Sequence, residues 1–124
     1  MRRPSDGGYV TVLFPFLAAF AAFATVVLLD LTAYFAAGVS AQTAADMAAL
    51  AAASPNSDAF ADGPRRRAEQ VADGYGATVT GCVCGLFDGT VTVEVTVPVQ
   101  ARALPHLGGA RHVTAVAHAT LTGP

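Results

Sequence analysis

The chain has 124 residues, of which 53% are hydrophobic and only 13% are charged, and its formal net charge is −2. Without an excess of basic residues, the composition argues against nucleic acid as a partner. A chain of this length has room for one small folded domain beside a membrane segment.

The first predicted element is an apolar helix that crosses a membrane. Residues 10–29 include no charged side chain, and at about 1.5 Å per residue they cover roughly 30 Å, the thickness of the hydrocarbon core. Arg2 and Arg3 precede this segment, whereas acidic residues follow it. By the positive-inside rule, residues 1–9 are therefore expected to be a cytoplasmic leader, and the rest of the chain is expected outside the cell membrane.

A cleaved signal peptide is the alternative interpretation of this segment. Val39, Ser40 and Ala41 resemble a small-residue cleavage site that precedes Gln42. The apolar region is longer than that of a signal peptide, and the site lies about ten residues beyond its end. Both features favour a retained anchor.

The helix is predicted to continue beyond the membrane. Alanine, the best helix former, dominates residues 30–53, and no proline occurs there. We therefore predict one helix over 10–53, roughly 65 Å long, as a membrane anchor and then a spine. Small residues on nearly every face of the spine permit close packing, although a plain spacer is the alternative. Pro15 either kinks the helix or lies in its first turn.

Residues 54–124 are predicted to form a small extracytoplasmic head. A second helix is expected over about 65–74, with Asp62 as a candidate N-cap and Gly76 in the stop signal. Three arginines, residues 65–67, begin this helix. They are interpreted as a solvated face, with contact to anionic lipid or a partner as the alternative.

The last third of the chain is predicted to form three antiparallel strands. They cover residues 78–83, 90–97 and 112–121, with Asp88 and Gly89 as a hairpin turn and Pro98 as the end of the second strand. The second strand alternates strictly and presents one valine face, which the long helix is expected to cover. The predicted fold class is therefore α+β: a long N-terminal transmembrane and spine helix packed on a head with one short helix and a three-stranded sheet.

The sequence provides no catalytic constellation, metal-ligand motif or cofactor motif that exceeds background. Cys82 and Cys84 are expected on the strand face opposite Val79. Their spacing along a strand, about 6.5–7 Å, is the outer limit for a disulfide, so an intramolecular bond, free thiols and an intermolecular bond all stay open. His112 and His118 share a strand face with roughly 20 Å between them, which disfavours a Cys2His2 metal site and favours surface histidines.

Two acidic residues on the long helix have simple interpretations. Asp30 closes the apolar run and is expected to mark the outer membrane interface. Asp46 is expected to be solvated or to pair with an arginine of the head or of a neighbouring subunit.

The chain resembles pilins, and more specifically the TadE-like proteins, which are pilin-like components of tight-adherence (Flp) pilus systems. Two segments carry the resemblance: Gly-Tyr-Val-Thr-Val at 8–12 and Ala-Ala-Asp-Met-Ala-Ala-Leu-Ala-Ala-Ala at 44–53. The resemblance implies cleavage by a prepilin peptidase between Gly8 and Tyr9. It also implies membrane lipid, other pilin-like subunits and the Tad assembly machinery as partners. Typical prepilins carry glutamate where this chain has Leu13, which favours a minor or accessory role.

These observations lead to one main hypothesis and two alternatives. The main hypothesis is a non-enzymatic, pilin-like structural component of a Tad/Flp-type pilus assembly or secretion system, in the membrane or at the cell surface. The first alternative is a single-pass binding or scaffold module with an exported head. The second is an exported redox or metal protein that uses Cys82 and Cys84.

Overall fold

A computed structural model describes residues 4–54, 63–84 and 89–120 of the protein, with side chains from residue 9 onward. The elements are the helices α1 (Pro4–Ala52) and α2 (Gly63–Gly74), the strands β1 (Thr78–Val83), β2 (Thr90–Pro98) and β3 (His112–Thr120), and a 3₁₀ helix (Leu104–Leu107). This layout confirms the predicted α+β fold class.

The long helix α1 begins six residues earlier than predicted and ends at Ala52. The prediction began it where the hydropathy rises, but the residues before that point also form helix, and Pro4 suits a first helical turn. Pro15 lies inside the helix, so the first-turn interpretation of this proline is wrong. The predicted N-cap residue Asp62 and the predicted turn residue Asp88 lie outside the described residues.

The three strands form an antiparallel sheet in the order β1-β2-β3. The alternation predicted for β2 is confirmed, since its valine side chains are buried and its outer side chains lie on the opposite face. Pro98 is the last residue of β2, as expected for a residue that cannot donate to a ladder. The buried face consists of Val91, Val93, Val95 and Val97.

Both helices pack on the same face of the sheet. Helix α1 covers β2 and β3, and α2 fills the space between α1 and β1. The helix α2 ends as predicted, with Gly76 at a positive φ of 69° and the amide of Ala77 donating to the carbonyl of Ala72. The head core is thus alanine from two helices packed against valine from the central strand.

The strand β3 runs along α1 in the same direction. Tyr34 contacts the segment just before β3, because its hydroxyl donates to the carbonyl of Ala110. At the other end of the strand, His118 lines one groove with Leu50 and Ser54 of α1. The chain segment between β2 and β3 therefore lies beside the middle of α1, and the far end of the head lies beside its C-terminus.

One prediction about the cysteines is wrong. The pairing of β1 with β2 shifts register between Val79 and Gly81, as at a β-bulge. Cys82 consequently pairs with Val93 of the buried face, and both Cys82 and Cys84 pack against the core. The two cysteines therefore share a face with Val79 rather than opposing it.

Candidate functional site at the membrane boundary of α1

The side chains in the N-terminal half of α1 are exposed in this structure. One helix near the N-terminus is long and apolar enough to span a membrane, and its most apolar window has no buried residue. Large side chains are exposed around the whole circumference of residues 9–29, here called the anchoring segment, as shown by Val12, Phe14, Phe16, Phe20, Phe23 and Leu29. A helix that is apolar on all sides fits a lipid environment, where every surface is apolar.

Asp30, the residue that follows the anchoring segment, is buried, with 3% of its surface exposed. Its carboxylate accepts three backbone N–H bonds: from Arg102 at 3.0 Å, and from Ala103 and Leu104 at 2.8 Å each. Ala103 is the N-cap residue of the 3₁₀ helix, so Asp30 caps that helix from a distant part of the chain. The hydrogen bonds of Asp30 hold the head at a fixed height on α1.

Tyr34, one helical turn further, makes the second contact to the same segment. Its hydroxyl donates to the carbonyl of Ala110. Gly109 permits this approach, because a Cβ at that position would lie 2.6 Å from both the Tyr34 hydroxyl and the carbonyl oxygen of Leu104. Residues 99–111 are here called the boundary loop. Asp30 and Tyr34 attach this loop to α1 at the level where the helix ceases to be apolar on all sides.

The second half of α1 differs from the first in having one buried face. Its alanines pack under the head with almost no exposed surface, and the fully buried ones are Ala41, Ala44, Ala45, Ala48 and Ala52. Because alanine has only a methyl group, the backbone of α1 can approach both α2 and the sheet closely. The small-residue surface thus packs within the chain. This agrees with the close-packing interpretation of the spine rather than with a plain spacer.

A second, apolar stripe lies on the side of α1 that faces away from the head. Phe35 is 75% exposed and Val39 is 68% exposed, and together with Leu31, Gly38 and Gln42 they line a shallow groove. This stripe, defined as Leu31, Phe35 and Val39, is continuous with the anchoring segment and has no cover within the described residues.

The residues of the predicted processing site, Gly8 and Tyr9, lie near the start of α1. The backbone of Gly8 is helical, and Tyr9 is helical with 69% of its surface exposed. Arg2 and Arg3 lie outside the described residues. The bond between Gly8 and Tyr9 is therefore inside a helix in this structure.

The cysteines and the histidines lie on opposite faces of the sheet. Cys82 and Cys84 are joined by a disulfide, and their Cα atoms are 5.4 Å apart. His112 and His118 are exposed, as expected for surface residues, and Nδ1 of His118 is hydrogen-bonded to the hydroxyl of Thr92 at 2.9 Å. The register correction thus removes the geometry on which a Cys2His2 set depended. No cluster of three metal-ligating side chains occurs among residues 4–54, 63–84 and 89–120.

The other charged residues singled out from the sequence have local partners. Asp46 is exposed and accepts a hydrogen bond from Gln42 at 3.0 Å. Arg65 forms an exposed ion pair with Glu69, one turn along α2. Asp30, by contrast, was interpreted only as an interface marker, and its role as a cap was missed because its partners lie more than seventy residues away.

The arrangement attaches a small head to a helix at the level where the helix loses its all-round apolar surface. No family model, no curated protein and no solved structure matches this chain.

Proposed function

We propose that the protein is a pilin-like, membrane-anchored structural subunit of a Tad/Flp-type pilus assembly or secretion system. It acts by helix packing and has no enzymatic activity. The observation that carries the proposal is that α1 exposes apolar surface on all sides up to Leu29 and then along a single stripe. The first surface fits lipid, and the second fits another helix.

The stripe supports packing with a second membrane helix. Because Leu31 and Phe35 follow the anchoring segment without interruption, a helix that covers them continues naturally into the bilayer. A soluble partner would cover the stripe but not the anchoring segment below it. Other pilin-like subunits, which combine an apolar helix with an exported head, have the required shape.

The proposed topology has the N-terminus in the cytoplasm and the head outside. Arg2 and Arg3 support it, since basic residues near a membrane segment stay in the cytoplasm. A prepilin peptidase would cut between Gly8 and Tyr9, which requires the first turns of α1 to unwind locally. Leu13, which replaces the glutamate of typical prepilins, supports a minor or accessory position in the assembly.

Intact-mass measurement on the protein purified from membranes tests the anchor and the processing together. A mass that begins at Tyr9 supports cleavage by a prepilin peptidase, and the full mass supports a retained leader. A mass that begins at Gln42 would contradict the proposal, because the anchoring segment and part of the alanine face would be missing.

Photo-crosslinking in membranes that hold the assembly machinery tests the partner. A photoreactive residue at Phe35 should crosslink to another protein with a membrane helix, and the crosslink should map to that helix. The same residue at Val116, which is exposed on the outer face of the sheet, is the matched control. Equal yields at both positions, or crosslinks to lipid alone at position 35, would contradict packing through the stripe.

A further inference from the structure

We propose that the boundary loop is a lipid-binding surface that lies in the headgroup layer and recognises anionic phospholipid. This inference rests on the membrane anchoring proposed above and adds a second attachment of the head to the same membrane. Position, charge and apolar exposure support it independently.

The position of the loop follows from its hydrogen bonds to α1. Asp30 and Tyr34, which hold the loop, span about 6 Å along the helix axis, directly above Leu29. The headgroup layer on each side of a bilayer is about 5–8 Å thick. If residues 10–29 fill the hydrocarbon core, the loop lies at the depth of the headgroups.

The charge of the loop fits an anionic surface. Arg102, His106 and Arg111 are exposed within it, and His112 follows. No acidic residue follows Glu94 in the sequence, and Glu94 lies four residues before the end of β2, about 13 Å along the strand. The carboxylate of Asp30, which lies against the loop, is already bonded to three backbone amides. The boundary loop is thus a cationic edge on a chain of net negative charge, and arginine side chains near an anionic membrane surface are attracted to it.

An exposed leucine lies among these side chains. Leu107 is 75% exposed at the end of the 3₁₀ helix. An apolar side chain surrounded by arginine and histidine is the composition of surfaces that lie at a membrane interface. We therefore assign Leu107 to the acyl boundary, with Arg102 and Arg111 against lipid phosphate.

The other arginine cluster of the head does not share this position. Helix α2 ends at a turn in which Tyr75 and Gly76 line a groove with Ala33 and Ala37 of α1. Residues 65–67, near the start of α2, lie about 10–14 Å from Gly74 along the helix axis. These arginines are exposed to a similar degree, so they serve as a matched control for charge.

Tryptophan fluorescence in vesicles tests the inference directly, because the natural chain contains no tryptophan. Three single variants of the full chain, Leu107→Trp, Phe20→Trp and Val83→Trp, replace exposed side chains in the boundary loop, the anchoring segment and the far end of β1. Each is reconstituted in phosphatidylcholine vesicles with or without phosphatidylglycerol, and brominated lipid is the quencher.

We expect strong quenching and a blue-shifted emission for Phe20→Trp in both lipid mixtures and no quenching for Val83→Trp. Leu107→Trp should be quenched, and several-fold more strongly when phosphatidylglycerol is present. In the Leu107→Trp background, the pair Arg102→Gln and Arg111→Gln should abolish the effect of the anionic lipid. The pair Arg65→Gln and Arg66→Gln should leave it unchanged.

The variants separate failure of this inference from failure of the anchor. Quenching of Phe20→Trp without quenching of Leu107→Trp would overturn the lipid-binding surface and leave the anchor intact. Equal quenching of Leu107→Trp in both lipid mixtures would overturn the recognition of anionic headgroups. No quenching of Phe20→Trp would overturn both the inference and the proposed anchoring.

Discussion

The two halves of α1 differ in their composition and in their surroundings. Up to Leu29 the helix is exposed on all sides, and from Asp30 onward one face is buried under the head and the other is exposed. The lower half uses large apolar residues, whereas the buried face of the upper half uses alanine almost exclusively. Contact with lipid requires apolar area without a specific shape, whereas contact with a sheet and a second helix requires small residues at defined positions.

The largest expected effect comes from charged substitutions, which should reduce membrane attachment in the lower half of α1 but not in the upper half. Phe20→Arg together with Phe23→Arg introduces two cations near the middle of the anchoring segment, at a cost of about 2.5–3.5 kcal/mol each. We expect this variant to be lost from the carbonate-resistant membrane fraction. Phe35→Arg together with Val39→Arg, at similarly exposed positions of the stripe, should stay in the membrane. If both pairs fractionate alike, the two halves do not differ in environment.

Adding volume should affect only the upper half. Ala48 is fully buried, so Ala48→Leu should separate α1 from the sheet and lower the free energy of unfolding of the head by about 1–3 kcal/mol. Ala21 is exposed in the anchoring segment, and Ala21→Leu should have no effect on the head. Thermal unfolding in detergent, followed by the circular dichroism of the sheet, measures both variants. An unchanged midpoint for Ala48→Leu would show that the alanine face does not pack as described.

A single methyl group in the boundary loop should weaken the attachment of the loop to α1. In Gly109→Ala the new Cβ would lie 2.6 Å from the Leu104 carbonyl oxygen and the Tyr34 hydroxyl, so the loop must move, at about 1–2 kcal/mol of unfolding free energy. Gly74→Ala is the control, since no atom lies within 4 Å of its Cβ position. The same thermal unfolding assay applies, and equal midpoints for the two variants would contradict the close approach.

The smallest and most local effect should come from the carboxylates of the upper half. Asp30→Asn removes the charge that three amides share, so hydrogen exchange should accelerate at Arg102, Ala103 and Leu104. Asp46→Asn alters an exposed carboxylate with one side-chain partner and should leave those amides unchanged. Exchange measured by mass spectrometry on peptides of the boundary loop distinguishes the two. Unaltered exchange in Asp30→Asn would mean that this carboxylate does not hold the loop.

Local patterns in the sequence predicted most of the fold. The strict alternation in β2 and the alanine-rich continuation of α1 each follow from periodicity and propensity within a short window. Two features that the sequence did not predict have a different origin. The register shift near Gly81 reverses the face of Cys82, and a strand pattern alone carries no information about such a shift. The cap that Asp30 provides depends on a loop more than seventy residues away, and only the tertiary fold brings them together.

The central claim is that the environment of α1 changes at Asp30. A spin-label accessibility scan along residues 10–52 of the reconstituted chain tests it, in a Cys82→Ser and Cys84→Ser background. We predict high accessibility to oxygen without helical periodicity up to Leu29. Beyond Asp30, accessibility to a water-soluble relaxant should repeat every 3.6 residues, with minima at the buried alanines. A helical period that runs unchanged through both halves, or water access within residues 10–29, would contradict the claim.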